Sequence, residues 1–269
     1  MEVIEKPKVH PVIAVGSGAS KRMVALLLVA FCPAVAAAGP AEEPLFRAAP
    51  PRADAVRVLL VTGGHDHDIS FYSVLDGQDD LAVTVDPYPN AFASPFGGAG
   101  RPVDVLVLYD MPAVLSPIQQ ENLRAFVESG KGVVALHHAI AGRTEWKWWY
   151  EEVVGGRYVP KAVEGRGAST YKHDETISVR PRGAHPITAG IAPFRIFDET
   201  YRGLWISARA SVILETDHPT SDGPVMWTFP HDKARVVFLQ LGHGPDAHRH
   251  PIYRRLVRNS VLWAARKPT

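Results

Sequence analysis

Four short segments concentrate the side chains able to move protons or bind a metal ion. In the first, His137 and His138 directly follow the apolar run Gly132–Leu136. Imidazoles delivered at a strand end can serve as general bases, proton shuttles or metal ligands. In the second, Gly63-Gly64-His65-Asp66-His67-Asp68, imidazoles and carboxylates alternate after two glycines, whose backbone lets a ligand approach closely. The third, Phe197-Asp198-Glu199-Thr200-Tyr201, sets paired acids beside a phenol, a combination suited to general acid–base work or to binding sugar hydroxyls. The fourth, Leu239-Gln240-Leu241-Gly242-His243-Gly244-Pro245, ends an apolar run with an imidazole between two glycines. That pattern is costly unless the chain must bend or something must come close. The predicted catalytic residues are His137, His243, Asp198 and Glu199. His67, His138, Trp146, Trp148 and Tyr201 are predicted to contact substrate. His67, His137 and His243 are the predicted ligands of a possible divalent metal, although their spacing matches no standard zinc motif. At each segment a plainer reading competes: a packed or solvated histidine, a polar turn, a helix cap.

These side chains need elements to carry them. Residues 56–61 and 103–109 and the segments Leu81–Val85 and Gly132–Leu136 read as apolar strands, with a short helix over Ile69–Leu75. A clearer helix starts at the N-cap Ser116, with Pro117 at its first position and Gln119 completing a capping box. Its apolar stripe is Ile118, Leu123, Phe126 and Val127, and Gly130 terminates it. Strand–helix–strand order calls for a right-handed crossover and a parallel sheet, whose carboxyl ends open into the ligand crevice. Trp146, Trp148, Trp149 and Tyr150 form an aromatic loop able to stack on pyranose rings, with at least one ring in the core. Further strands are predicted at 176–179, 211–214, 225–229 and 236–241, and a final amphipathic helix at 251–265. The fold class is therefore α/β: a doubly wound, mostly parallel sheet with an antiparallel extension. His185-Pro186-Ile187 reads as a turn, His173-Asp174 as part of the site rim, and His248 and His250 as surface residues.

Bulk properties narrow the function. Lys21-Arg22, an apolar run over 23–35 and Ala36-Ala37-Ala38 make a secretory signal peptide cleaved near Ala38, with an overlong n-region. Residues 39–55, rich in Ala, Pro and Glu, read as a disordered linker. The expected mature protein is periplasmic or secreted, with no integral membrane span after signal removal. The single cysteine, Cys32, lies in the apolar run, so the mature chain has no disulfide, cysteine nucleophile or zinc–thiolate site. Net charge is +1 with no basic cluster, which argues against nucleic acid as a partner. Gly63-Gly64 lacks the further glycine of a dinucleotide fingerprint, so no nucleotide cofactor is expected.

Taken in order, several elements resemble one family, the ThuA-like (trehalose utilisation) proteins. They are the opening strand with Gly63-Gly64 and His67; Leu115-Ser116 through Val127 with Gly130-Lys131-Gly132; Ala135-Leu136-His137; Gly155-Gly156-Arg157-Tyr158; His185-Pro186-Ile187; Asp198-Glu199-Thr200-Tyr201; Pro224-Val225-Met226-Trp227; the run from Arg235 to His243; and Trp263-Ala264-Ala265. The resemblance covers residues 56–266. It implies a class I glutamine-amidotransferase-like, flavodoxin-like fold and a role in sugar catabolism, on disaccharides and their 3-keto derivatives. In amidotransferase relatives the comparable strand delivers a cysteine; here it delivers His137, which excludes thiolate glutaminase chemistry. His243 resembles the active-site histidine of such relatives, and His138 departs from the small residues that commonly follow. The expected partner is a small carbohydrate, processed by His- and acid-assisted hydrolysis, elimination or isomerisation; the alternative is a non-catalytic carbohydrate-binding or accessory module.

Overall fold

The computed structural model describes residues 50–269, so the expected signal peptide and most of the expected linker lie outside the described residues. Residues 50–55, read from the sequence as linker, dock on the body instead: the Arg52 amide donates to the Asp79 carbonyl at 2.7 Å. The elements in chain order are β1 (Val56–Gly63), β2 (Leu81–Val85), β3 (Val105–Asp110), α1 (Pro117–Glu128), β4 (Gly132–Leu136), β5 (Gly156–Arg157), β6 (Thr170–Pro181) and β7 (Phe194–Arg202). They continue as β8 (Trp205–Ile206), β9 (Ser211–Thr216), β10 (Pro224–Pro230), β11 (Arg235–Leu239), α2 (Pro245–Arg249) and α3 (Pro251–Ala264).

Nine strands form one sheet in the order β2-β1-β3-β4-β11-β10-β9-β6-β7. From β2 to β11 neighbours are parallel; from β11 to β7 they are antiparallel. Every residue of β3 and β4 is buried, as expected for parallel strands covered on both faces. The period-2 alternation splits their side chains between two cores. Val105, Val107, Val134 and Leu136 join Leu256, Val257 and Val261 of α3. Leu106, Leu108, Val133 and Ala135 join Leu123, Phe126 and Val127 of α1. This is the flavodoxin-like, three-layer architecture that the strand–helix–strand pattern predicts. In α1 the Ser116 amide donates to Gln119 Oε1 at 2.9 Å, the capping-box bond, while Ile118 faces solvent rather than joining the apolar stripe.

The antiparallel extension differs from the sequence reading in one element that decides the site. Phe197 to Tyr201, to which the sequence reading assigned no strand, is part of strand β7 and pairs with a β6 much longer than the predicted 176–179. β6 meets β9 only over Val179–Pro181, through pairs to Thr216, Glu215 and Leu214. The rest of the β6–β7 ribbon therefore extends past β9, and its far end curls over the carboxyl ends of β4 and β11. No helix among the described residues is long and apolar enough to cross a membrane.

Sheet and helix approach closely where β4 begins. A Cβ at Gly132 would sit 2.7 Å from the Ala264 Cβ and carbonyl oxygen at the end of α3. Backbone is on the receiving side, so Gly132→Ala is expected to cost about 1–3 kcal/mol and to lower the urea midpoint without changing the transition slope. An unchanged midpoint would show that α3 can withdraw.

Candidate functional site

β4 ends at Leu136, and the next residue, His137, opens a 3-10 turn with φ 49°. A left-handed conformation in a residue with a Cβ costs about 1–2 kcal/mol, and it turns the imidazole off the strand end. The ring is then fixed from behind: His137 Nδ1 lies 2.7 Å from the Gln240 carbonyl oxygen. A carbonyl only accepts, so Nδ1 carries the proton and Nε2 presents a lone pair. Nε2 faces His243 Nδ1 at 3.2 Å, Glu199 Oε2 at 3.6 Å and the Tyr201 hydroxyl at 3.3 Å. The Tyr201 ring stacks on the imidazole with centroids 5.3 Å apart.

The acids come from the curled ribbon. Glu199 Oε2 is 2.7 Å from His243 Nδ1 and 3.3 Å from His173 Nδ1. Burial alone would raise the Glu199 carboxyl, but its contacts with the His137 and His243 imidazoles outweigh it and bring it down to about 2. The same bond from Glu199 raises His243, against its partial burial. Asp198, on the other side of the strand, accepts from the Gly242 amide at 2.7 Å, the His243 amide at 2.9 Å and the Glu199 amide at 2.8 Å. Burial raises its carboxyl, opposed by His137 and those three amides. Asp198 was expected among the catalytic residues; in the structure its oxygens accept from backbone amides, and through the His243 amide it fixes the position of that residue. Gly242 has φ 115°, and a Cβ there would lie 2.2 Å from the Tyr253 hydroxyl, so only glycine makes this bend.

A cavity of about 330 Å³ opens over the cluster. Tyr158, Tyr171, Met111 and Pro160 give it an apolar wall; His65, His137, His138, His173 and His243 contribute imidazoles. A larger cavity, about 550 Å³, lies at the opposite, amino end of the parallel strands around Arg57 and Lys131 and gathers none of these groups.

Each sequence-predicted site residue has a definite place. His137, His138, Glu199, Tyr201 and His243 line the cavity. His138 donates to the Tyr109 carbonyl at 3.1 Å, and burial lowers it to about 2, so its imidazole is neutral. His67 does not share in the cluster: it faces a neighbouring cleft with Asp66, Asp68 and Asp246, its Nε2 3.3 Å from the Tyr72 hydroxyl. Glu199, not His67, stands with His137 and His243: one potential ligand atom from each of these three lies within 4.8 Å of the others. Trp146 and Trp148 are not on the cavity wall either. They pack around Arg124 of α1, whose guanidinium sits 4.0 Å from the Trp148 ring centroid, because these large rings gain more from covering the α1 core than from facing the crevice. Tyr158 and Tyr171 supply aromatic surface in their stead. Sequence reasoning gave these two no role; the signal was the two-residue spacing of Tyr171 and His173, which puts both on one face of a strand. His248, expected at the surface, is wholly buried, bridging Ser70 Oγ at 2.8 Å and the Gly242 carbonyl at 3.0 Å. Among the described residues there is no cysteine.

The Asp198 clamp is testable. Asp198→Ala strands the Gly242, His243 and Glu199 amides and is expected to cost about 2–4 kcal/mol, whereas Asp198→Asn keeps an acceptor and loses less. Calorimetric Tm values checked at equal pH should follow that order; equal losses would show that the amides find other partners.

The sequence matches the ThuA family, described as trehalose utilisation, over residues 57–264. A ThuA-like protein of Parabacteroides merdae superposes with TM-score 0.70 at 17% identity, over 80% of this chain and 92% of that one. A second, from Bacteroides uniformis, gives 0.61 at 17% identity, over 86% and 97%. A cytoplasmic protein of Salmonella typhimurium gives 0.54 at 13% identity, over 78% and 97%. No curated protein matches. The match over most of the folded domain, on a sheet that carries His137, Glu199 and His243 at its carboxyl edge, makes this chain a member of the ThuA family.

Proposed function

We propose that this protein is an enzyme of carbohydrate breakdown, acting on a glycoside, a disaccharide or a 3-keto derivative of either by His- and acid-assisted proton transfer, which on a 3-keto sugar takes place beside the carbonyl. The observation that supports this reading most is the Glu199–His243–His137 corner at the floor of an enclosed cavity with tyrosine walls. The cavity is at the small end of the range for small-molecule sites, and its Tyr158 and Tyr171 rings offer the flat apolar surface on which sugar rings stack. The leader supports export, so the expected place of action is the periplasm or the exterior.

The chemistry divides between two sides of the cavity. Among the described residues His65 has no ring-nitrogen hydrogen bond, and burial lowers its pKa, so it stands neutral with a lone pair free to act as base. Removing the proton beside a ketone moves the electron pair onto the ketone oxygen. The opposite corner, where Glu199 favours a charged His243, stabilises that developing oxyanion. Collapse of the enediolate can then expel a substituent on the next carbon, which is elimination, or be reprotonated from the other face, which is isomerisation. For a 3-keto glycoside, elimination of the C1 substituent followed by addition of water gives the products of hydrolysis, so on that substrate the three outcomes share this first step.

A purified mature chain incubated with glucosides, disaccharides and their 3-keto forms is expected to give a new product by mass spectrometry. His65→Ala should lower kcat/KM by about 10²–10⁴-fold. The wild-type rate should fall as pH drops through the His65 pKa, which lies below 6.5; the neutral base is lost on that side. Stoichiometric sugar binding with no product in the wild type would replace the enzyme by a carbohydrate-binding module.

A further inference from the structure

We propose that the corner formed by His137, His243 and Glu199 is a divalent metal site of the zinc type, and that His173 is its fourth protein ligand. For what the ion would do this rests on the sugar-enzyme reading; for the binding itself it does not.

The donor atoms converge with the spacing a small ion needs. Metal–ligand bonds of about 2.0–2.1 Å in a tetrahedron place neighbouring ligand atoms about 3.3 Å apart. His137 Nε2 and His243 Nδ1 are 3.2 Å apart, His137 Nε2 and Glu199 Oε2 3.6 Å, and His173 Nδ1 and Glu199 Oε2 3.3 Å. The His243–Glu199 contact, at 2.7 Å, is a direct hydrogen bond that an arriving ion would open, releasing its proton. Two imidazoles and one carboxylate on one side of an ion are a common arrangement for catalytic zinc and for non-haem iron(II).

Two supporting features are specific to this fold. First, His137 donates from Nδ1 to the Gln240 carbonyl, the bond that usually fixes a ligating histidine with its other nitrogen bare. Without an ion, that lone pair competes with the Glu199 carboxylate for the single proton on His243 Nδ1. Second, the β6–β7 ladder slips between Lys172 and Glu175, so His173 and Asp174 together stand opposite Glu199, and Asp174 adopts φ 61°. Such a bulge re-aims a side chain, and here it brings His173 Nδ1 to the Glu199 carboxylate. His173 is 46% exposed, against 5% for Glu199, which makes it the ligand best able to give way to a substrate oxygen. A bound ion would hold the ketone oxygen and supply the positive charge assigned above to His243.

Titration of the full chain with Co2+ followed by its ligand-field absorption, and zinc content by mass spectrometry after dialysis, test the site without any sugar. The wild type is expected to take up one equivalent with a four- or five-coordinate spectrum. Glu199→Gln, nearly isosteric, and His137→Ala should each weaken binding by more than the roughly 10- to 100-fold that loss of a supporting hydrogen bond costs. His173→Ala should weaken it roughly tenfold and change the spectrum, and His67→Ala should leave both alone. A wild type that takes up no ion, or binding that survives both Glu199→Gln and His137→Ala, overturns the site. Uptake as expected with no sugar ever converted leaves the metal site standing and removes the sugar reading; conversion by ion-free, chelated protein keeps the sugar reading and removes the ion's part in it.

Discussion

The hydrogen bonds from the Gly242 and His243 amides to the Asp198 carboxylate are what join the two halves of this molecule into a site. His137 and His243 belong to the parallel half, at the ends of β4 and after β11. Glu199 and Tyr201 belong to β7, at the far edge of the sheet, several strands away in hydrogen-bonding order. Only because the β6–β7 ribbon runs past β9 and returns over the carboxyl edge do these groups meet. A buried carboxylate is expensive; here three amide donors satisfy it, and two of them, Gly242 and His243, belong to a bend that no residue with a Cβ could make.

The second requirement is rigidity behind His137. Its left-handed conformation survives because the surroundings leave no alternative. Downstream, Arg143, itself at φ 57°, forms a wholly buried ion pair with Asp110 at the end of β3, and its amide donates to the Pro112 carbonyl at 2.9 Å. Burial raises the Asp110 carboxyl and Arg143 pulls it back. Breaking such a pair costs more than forming it gains, so its value here is to fix where the turn begins and ends. Tyr109, stacked on Phe71 and donating to the Gly242 carbonyl at 2.6 Å, links the same strand end to the His243 bend. Strain at one residue is thus held by packing and hydrogen bonds drawn from β3, β4 and β11 together.

The parallel half of this arrangement was legible in the sequence because its signals are local. Continuous apolar runs give β3 and β4, and Ser116, Pro117 and Gln119 mark the start of α1. The ribbon was not legible. Asp198-Glu199-Thr200 is polar in a way that normally means solvent, and what buries it is a partner segment distant in the chain. The same limit explains His65 and His67: spacing alone does not say which of two imidazoles in one turn faces inward, and the turn sends His67 toward Tyr72. Trp146 and Trp148 misled for a related reason, since aromatic rings suited to a sugar are equally suited to covering a helix. His173 was assigned to the rim on composition, but its approach to Glu199 depends on a one-residue slip in a ladder that no local pattern announces.

The residue at the end of β4 also limits the chemistry that this corner can do. A thiol at such a turn is useful because it is exposed, unencumbered and able to form a bond to carbon. His137 has none of those properties: it is 1% exposed, one nitrogen is committed to Gln240, and the other points at a carboxylate and a second imidazole rather than at open space. A group held in that way is a poor nucleophile and a good donor of a fixed lone pair. The backbone geometry at this strand end therefore presents a fixed lone pair in an electrostatic corner rather than an exposed nucleophile.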